Sequence, residues 1–383
     1  MTRNIHSLGD QRGVVEKLRD RRRIKAARLR RKQLSEGLMR SPFEKLEDRH
    51  LLATVTWDGG GDNERWHDPL NWDGDVVPTA ADQAVIADAS SELLVRIDAN
   101  VVVDSIDTTE HLEVNGAELR TRSLIAQEVS FEDGTLNPTD GQVLTATIAG
   151  DMTVDGSASQ FVILGNVSVG GNLDLKRGLT LVATGDDAAL TVDGDVQLHR
   201  VNVTANSGAV ISLPGVTRFP ISSEYNEDRY YTATDSGSRI EFPNLVDIIG
   251  GTSRYSDTYV RAQAGGVIAL PMLESIVDVS RGDTRNRVIE FSATGPASQI
   301  DLSALVAVQD YNADGLTRLV ESDGGDLLLG SLDSAIGASI TLQSAEGGPL
   351  DALRHLERTT LVLSGGTHTA PLLERAVRST VDL

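Results

Sequence analysis

The feature that most limits what this chain can fold into is a phrase that returns about every thirty residues: a turn holding glycine or Ser-Gly, an alternating apolar stretch, then Leu-Pro or Leu-Ser. Copies read Ser207-Gly208-Ala209-Val210-Ile211-Ser212-Leu213-Pro214, Ser236-Gly237-Ser238-Arg239-Ile240-Glu241-Phe242-Pro243, Ala264-Gly265-Gly266-Val267-Ile268-Ala269-Leu270-Pro271 and Ala297-Ser298-Gln299-Ile300-Asp301-Leu302-Ser303. A fifth, weaker copy is Gly324-Gly325-Asp326-Leu327-Leu328-Leu329. With the central apolar residue as anchor, Ile211, Ile240, Ile268, Ile300 and Leu328 lie 29, 28, 32 and 28 positions apart. A period of this length marks stacked units and not a closed globule. Each unit has too few apolar residues to bury a face alone, so neighbours must share one continuous core.

Within each copy the apolar residues alternate with period two, glycine precedes them where the chain must turn, and proline follows where a ladder must end. A second alternating piece lies upstream of each turn, for example Val201-Asn202-Val203-Thr204-Ala205, Tyr259-Val260-Arg261-Ala262 and Val288-Ile289-Glu290-Phe291. Two or three strands per coil fit an all-β fold: a single-stack parallel β-solenoid, with a right-handed β-helix as the expected form and a disordered or helical basic N-terminal leader. A sandwich or barrel of short strands is the alternative, but neither requires a fixed repeat. Phe, Trp and Tyr number only 6, 3 and 6, which excludes a large aromatic core and favours a thin one of Val, Ile, Leu and Ala. The chain has no cysteine, hence neither disulfides nor thiolate metal sites. No segment approaches the roughly 20 apolar residues that span a bilayer, so membrane insertion is not expected.

Charge is split along the chain. Residues 1–50 hold 15 Lys/Arg against 7 Asp/Glu, a net of +8, which leaves −29 of the total −21 for residues 51–383. So acidic a body repels nucleic acid and anionic membranes. The cluster at 17–32, with Arg21-Arg22-Arg23, reads by itself as a nucleic-acid arm or as a solvated basic helix, and its terminal position favours a leader. Four segments follow: a basic leader (1–53), a Trp/Gly/Asp-rich cap (54–90), short coils (91–200) and long repeats (201–383).

Leu46-Glu47-Asp48-Arg49-His50-Leu51-Leu52 resembles the LEPR-x-LL signature of extracellular proteins of planctomycete bacteria, with Asp48 in place of proline. The resemblance implies export to the envelope or exterior and no particular activity. Repeats of the form A-x-G-G-x-I-x-L-P-x-L over about 200–375 resemble those of large secreted proteins from the same bacteria. Thr56-Trp57-Asp58-Gly59-Gly60-Gly61, then Trp66, Asn71-Trp72 and Pro78, looks like the opening module of bacterial secreted β-helix and autotransporter-passenger-like proteins. Indoles there can cover the open end of the first coil; a sugar-stacking platform is the other reading.

Plain coils come next, with Gly150, Gly171 and Gly194 opening similar strands 21 and 23 residues apart. The longer downstream units look like the same coil enlarged by a loop rich in Tyr, Arg, Asp and Asn. Insertions at one position of each repeat pile up on one side of a solenoid. Tyr225, Tyr230, Tyr255, Tyr259, Tyr311, Arg229, Arg254 and Arg285 are therefore the candidate ligand face, suited to an extracellular glycan or an envelope protein. The competing reading is that Arg and Asp of neighbouring loops pair with one another. One loop, residues 310–321, carries the calcium-loop pattern, with Asp310, Asn312 and Asp314 at positions 1, 3 and 5, Gly315 at 6 and Glu321 at 12. These four side chains are the candidate calcium ligands, although Thr317 stands where an apolar residue is usual and the flanks are strands.

Nothing in the sequence reads as catalytic. The acidic pairs Asp186-Asp187 and Glu227-Asp228 have no neighbouring His or Lys, and no nucleophile, zinc or phosphate-loop motif is present. The expected function is a secreted or cell-surface structural or adhesive solenoid, with end-to-end contacts or a further C-terminal continuation. A carbohydrate-active β-helix enzyme, lyase or hydrolase, is the alternative, since such sites can be assembled from distant coils.

Overall fold

Period-two alternation makes strands with one buried face, and strands only a few residues long need a neighbour on either side to be stable. The chain solves this by pairing each strand with its equivalent one coil later. The computed structural model describes residues 53–87, 93–156, 160–176, 178–198, 201–220, 227–283, 285–312, 316–343, 350–365 and 368–383, which belong to one compact unit. The basic cluster and the signature at 46–52 lie outside the described residues.

The structure is a parallel β-solenoid with three faces and, through Asp326–Leu328, three strands per coil; the strands described beyond it lie on faces two and three. Face one is a twelve-stranded sheet from Ala53–Thr56 to Asp326–Leu328. Face two follows it in each coil, as a six-stranded sheet from Leu94–Ile97 to Val196–Gln197 and then a seven-stranded one from Arg218–Pro220 to Arg375–Val377. Face three closes the coil, beginning with three short strands and continuing as a ten-stranded sheet from Gln160–Ile163 to Thr380–Asp382. The lengthening of the coils near residue 201 does not interrupt faces one and three, whose ladders run through it. No helix among the described residues is long and apolar enough to cross a membrane.

In-register pairing stacks like on like. Val203, Tyr231, Val260, Phe291 and Leu319 form one buried column of face three. Beside it Ala183, Ala205, Ala233, Ala262 and Ala293 form a column of small side chains. On face one Ile211, Ile240, Ile268 and Ile300 are stacked as the repeat implies. The fifth anchor differs: Ile300 pairs with Leu327, not Leu328, and Leu327 is the buried one. The corner before it, residues 323–325, is as long as 264–266 before Ile268, and Leu327 follows the left-handed Gly324 by three residues as Ile268 follows Gly265. A shift of one residue exchanges inward and outward faces of a strand.

Those corners set where glycine is needed. Gly265 has φ +91, the left-handed region that glycine occupies without strain. Gly266 matters for a different reason: a Cβ there would lie 2.2 Å from the carbonyl oxygen of Ala233 in the preceding coil. Two corners of the stack are instead bolted by hydroxyls, Gly208 N donating to Ser238 Oγ and Gly265 N to Ser298 Oγ, both at 2.9 Å.

The three tryptophans form one cluster at the N-terminal end of the described stack. Trp72 meets Trp57 and Trp66 edge to face, with centroids 5.0 and 4.8 Å apart. Asn71 is the hub of the overlying loop: its Oδ1 accepts from Gly61 N and Asn63 N, and its Nδ2 donates to Asp62 and to the Arg65 carbonyl. Trp66 and Trp72 are wholly buried, so their rings are packing and not a sugar platform.

Replacing Gly266 by alanine is expected to lower stability by about 1–3 kcal/mol through inter-coil overpacking. Gly330→Ala, where the added Cβ meets nothing within 4 Å, should stay within about 0.5 kcal/mol. Urea unfolding of the two variants checks this.

Candidate binding face

The long connections 250–257 and 279–287 fall at one corner, between face two and face three. Both are described except for residue 284, as are the ends of two others at 227–228 and 311–312. Each leads into a strand of face three whose parity decides which side chains reach solvent. In Arg229–Thr234 and Thr258–Gln263 the first, third and fifth residues are buried. Tyr230 and Tyr259 therefore point outward and lie in the same column.

Their rings stack, with centroids 5.0 Å apart and 12° between planes. The guanidinium of Arg261 lies 4.2 Å from the Tyr259 centroid and 5.3 Å from that of Tyr230, a cation–π arrangement. Beyond it Arg261 reaches Glu290 at 3.8 Å, and Glu290 reaches Arg318 at 3.6 Å in the coil after. Tyrosine, tyrosine, glutamate and arginine thus succeed one another in one outward column across four coils, with Arg261 alongside. Neighbouring strands are about 4.8 Å apart, so the row extends for roughly 14 Å.

Carboxylates at the corner anchor the row. Tyr230 donates its hydroxyl to Asp228 at 3.3 Å and Tyr259 donates to Asp257 at 2.9 Å. Partial burial above all, then the adjacent carboxylates, raise the ionisation of both phenols above the usual range. Asp228 also accepts from Asp257 N, and Asp257 from Val288 N, so these carboxylates tie successive strand entrances together. Asp283 binds Arg285 through two 2.8 Å bonds and approaches Arg254 at 3.6 Å. The Arg285 bonds chiefly hold its carboxyl down at about 2. Arg254 in turn lies 5.7 Å from the Tyr255 ring.

The eight residues marked in the sequence do not form one stripe. Tyr230 and Tyr259 sit together on face three, while Tyr255, Arg254 and Arg285 lie on the corner loops and Tyr311 begins the last of them, with Tyr255 and Tyr311 exposed. Tyr225 lies outside the described residues. Arg229 is a correction: it is buried in the inward column with Thr258, Ile289 and Thr317, and it bonds Glu227 and the Asp228 carbonyl. It opens its strand on the inward parity, one residue from the outward Tyr230. Both readings of the loops have a counterpart, since Arg254 and Arg285 pair with Asp283 while the tyrosine row faces out.

The candidate calcium loop is also drawn apart. Asp310 is buried and accepts from Asn312 N at 2.8 Å, from Thr317 N at 2.8 Å and from Thr317 Oγ1 at 3.1 Å. Glu321 is buried in the alanine column, where its carboxylate accepts from Leu327 N and Gln343 N, both at 2.9 Å. Thr317 and Glu321 are four residues apart on one strand, roughly 13 Å, so the first and last positions of the pattern do not face one space. Asp314 lies outside the described residues. Among the described residues no group of three or more His, Asp or Glu side chains is gathered for a metal ion.

Arg261, Glu290 and Arg318 were not singled out in the sequence. Parity could have found them: Arg261 is two residues after Tyr259 on the same outward side, and Glu290 and Arg318 occupy the tyrosine column. Compared with protein-family models, curated proteins and solved structures, the chain gives no significant match.

The Arg261–Glu290 pair is partly exposed, and pairs of this kind contribute about 0–1 kcal/mol. A double-mutant cycle of Arg261→Ala and Glu290→Ala in urea is expected to give a coupling below about 1 kcal/mol, leaving these groups free to exchange one another for a ligand.

Proposed function

We propose that the protein is an exported structural or adhesive solenoid, secreted or held at the bacterial surface, and that the outward row of face three binds a neutral, extended glycan. The observation that carries the reading is the row itself: Tyr230 and Tyr259 stacked, with Arg261, Glu290 and Arg318 continuing along the stack. Stacking turns the phenol edges and the guanidinium groups outward, which suits a polymer presenting hydroxyls at intervals along its length. Arg and carboxylate side by side bond a diol from both sides, one as donor and one as acceptor. The excess of Asp and Glu in the body disfavours anionic polymers, which selects a neutral glycan over an acidic one. Export rests on the resemblance of residues 46–52 to the LEPR-x-LL signature and on the acidic, lysine-poor body.

Retention of the full chain on insoluble neutral polysaccharides tests the binding reading. Tyr259→Ala with Arg261→Ala is expected to reduce retention about tenfold or more, the loss of a contact worth over 1 kcal/mol. Unchanged retention by that variant overturns the assignment of the row, and soluble sugar released by the native chain turns the reading to an enzyme. Labelling of intact cells with an impermeant reagent tests export; labelling only after lysis overturns it.

A further inference from the structure

Behind the corner loops lies a buried ionic cluster that the binding row does not use. Asp278 and Arg287 are both wholly buried, and Asp310 is nearly so. Arg287 donates through Nη2 to Asp278 and through Nη1 to the Gly251 carbonyl, with further bonds of 3.4 Å from Nε to Asp278 and 3.3 Å from Nη2 to the Val279 carbonyl. One guanidinium therefore ties loop 250–257 to the beginning of loop 279–287. Gly250 makes room for it, since a Cβ there would lie 2.3 Å from Asp278 Oδ1. Asp278 pairs in register with Asp310 of the next coil, and Asp310 holds Asn312 N and Thr317 N. Of the two carboxylates only Asp278 binds the guanidinium, and Asp310 acts on the pair through space, so when both are ionised one buried negative charge is left over.

We infer that Asp278, Arg287 and Asp310 form a proton-sensitive lock, which holds the corner loops more firmly when the cluster carries one proton than when both carboxylates are ionised. Burying an uncompensated charge is costly, and a buried group takes up a proton to avoid it. Burial is the largest influence on both carboxyls: it pushes Asp278 up to about 6 against the pull of Arg287, with the Asp310 charge adding to the rise, and it raises Asp310 as well. The uncharged partners Asn312 and Thr317 bond the carboxylates. The other charges on the corner loops include Asp257, which holds Val288 N, the half-buried Arg254 and the exposed Asp283 and Arg285, while Arg229, paired with Glu227, is buried in the column of Thr317.

The sign follows from the raised carboxyl. A native pKa above the open-state value near 4 means that the closed corner binds the proton more tightly. Its stability is fully present below about 4 and is lost as pH rises toward about 6. Only the use of the lock, control of the face-three row by pH, depends on the proposed binding function.

Hydrogen exchange of the full chain between pH 4 and 7.5, corrected for intrinsic rates, reads the lock without any ligand. Protection of residues 250–257 and 285–288 is expected to fall by up to about tenfold per pH unit between about 4 and 6 and then to level off. Protection of Ile211 and Ile240 on face one should not follow. In Asp310→Asn the like charge beside the Asp278–Arg287 pair is gone, and the slope at the corner should become shallower. Corner protection that is flat or rises with pH in the native chain, or an unchanged slope in Asp310→Asn, overturns the inference; the native measurement decides alone if the variant does not fold. Loss of glycan retention with an intact exchange slope would refute the binding function and leave the lock standing.

Discussion

Parallel pairing of each strand with its equivalent in the next coil is the constraint on which the rest of the structure depends. Because the backbone hydrogen bonds run along the stack, a residue's neighbours are its own counterparts one coil before and after. Side chains must therefore be compatible in columns, and an apolar column such as Val203, Tyr231, Val260 and Phe291 grows by repetition. The same rule governs polar groups. A hydroxyl or carboxylate that enters the stack has to find its partner in an adjacent coil, as Ser238 does with Gly208 and Glu321 with Gln343.

Much of this was legible in the sequence because the column rule writes itself as a period. The stacked Ile211, Ile240, Ile268 and Ile300, the upstream strands and the tryptophan packing all follow from spacing and alternation. Where reading failed, it failed by one residue. Three consecutive leucines hide which of them continues the isoleucine column, and it is Leu327, not Leu328; a loop boundary conceals strand parity at Arg229, which points inward.

The site was less legible for a related reason. Arg287 lies in a run with Arg281 and Arg285, and nothing local distinguishes the one that is buried from those that are exposed. Its burial is decided by Asp278 and Gly250, which belong to the preceding strand and corner. The oxygen pattern of 310–321 is spaced along the chain as a cation loop is, while an extended strand separates Thr317, which bonds Asp310, from Glu321.

A stack of near-identical coils faces a particular hazard during folding, because a strand that docks one coil too early or too late still buries an apolar column. The sheets alone would scarcely discriminate against that slip. The buried charged groups do, since Arg287 displaced by one coil would lose the Gly251 carbonyl, and Glu321 displaced into another part of the alanine column would lose the amide of Gln343. Each such error leaves a buried charged group short of a hydrogen-bond partner, at greater cost than most mismatches of methyl groups. The few irreplaceable polar residues thus act as address labels in a repetitive molecule, telling each coil which neighbours are its own.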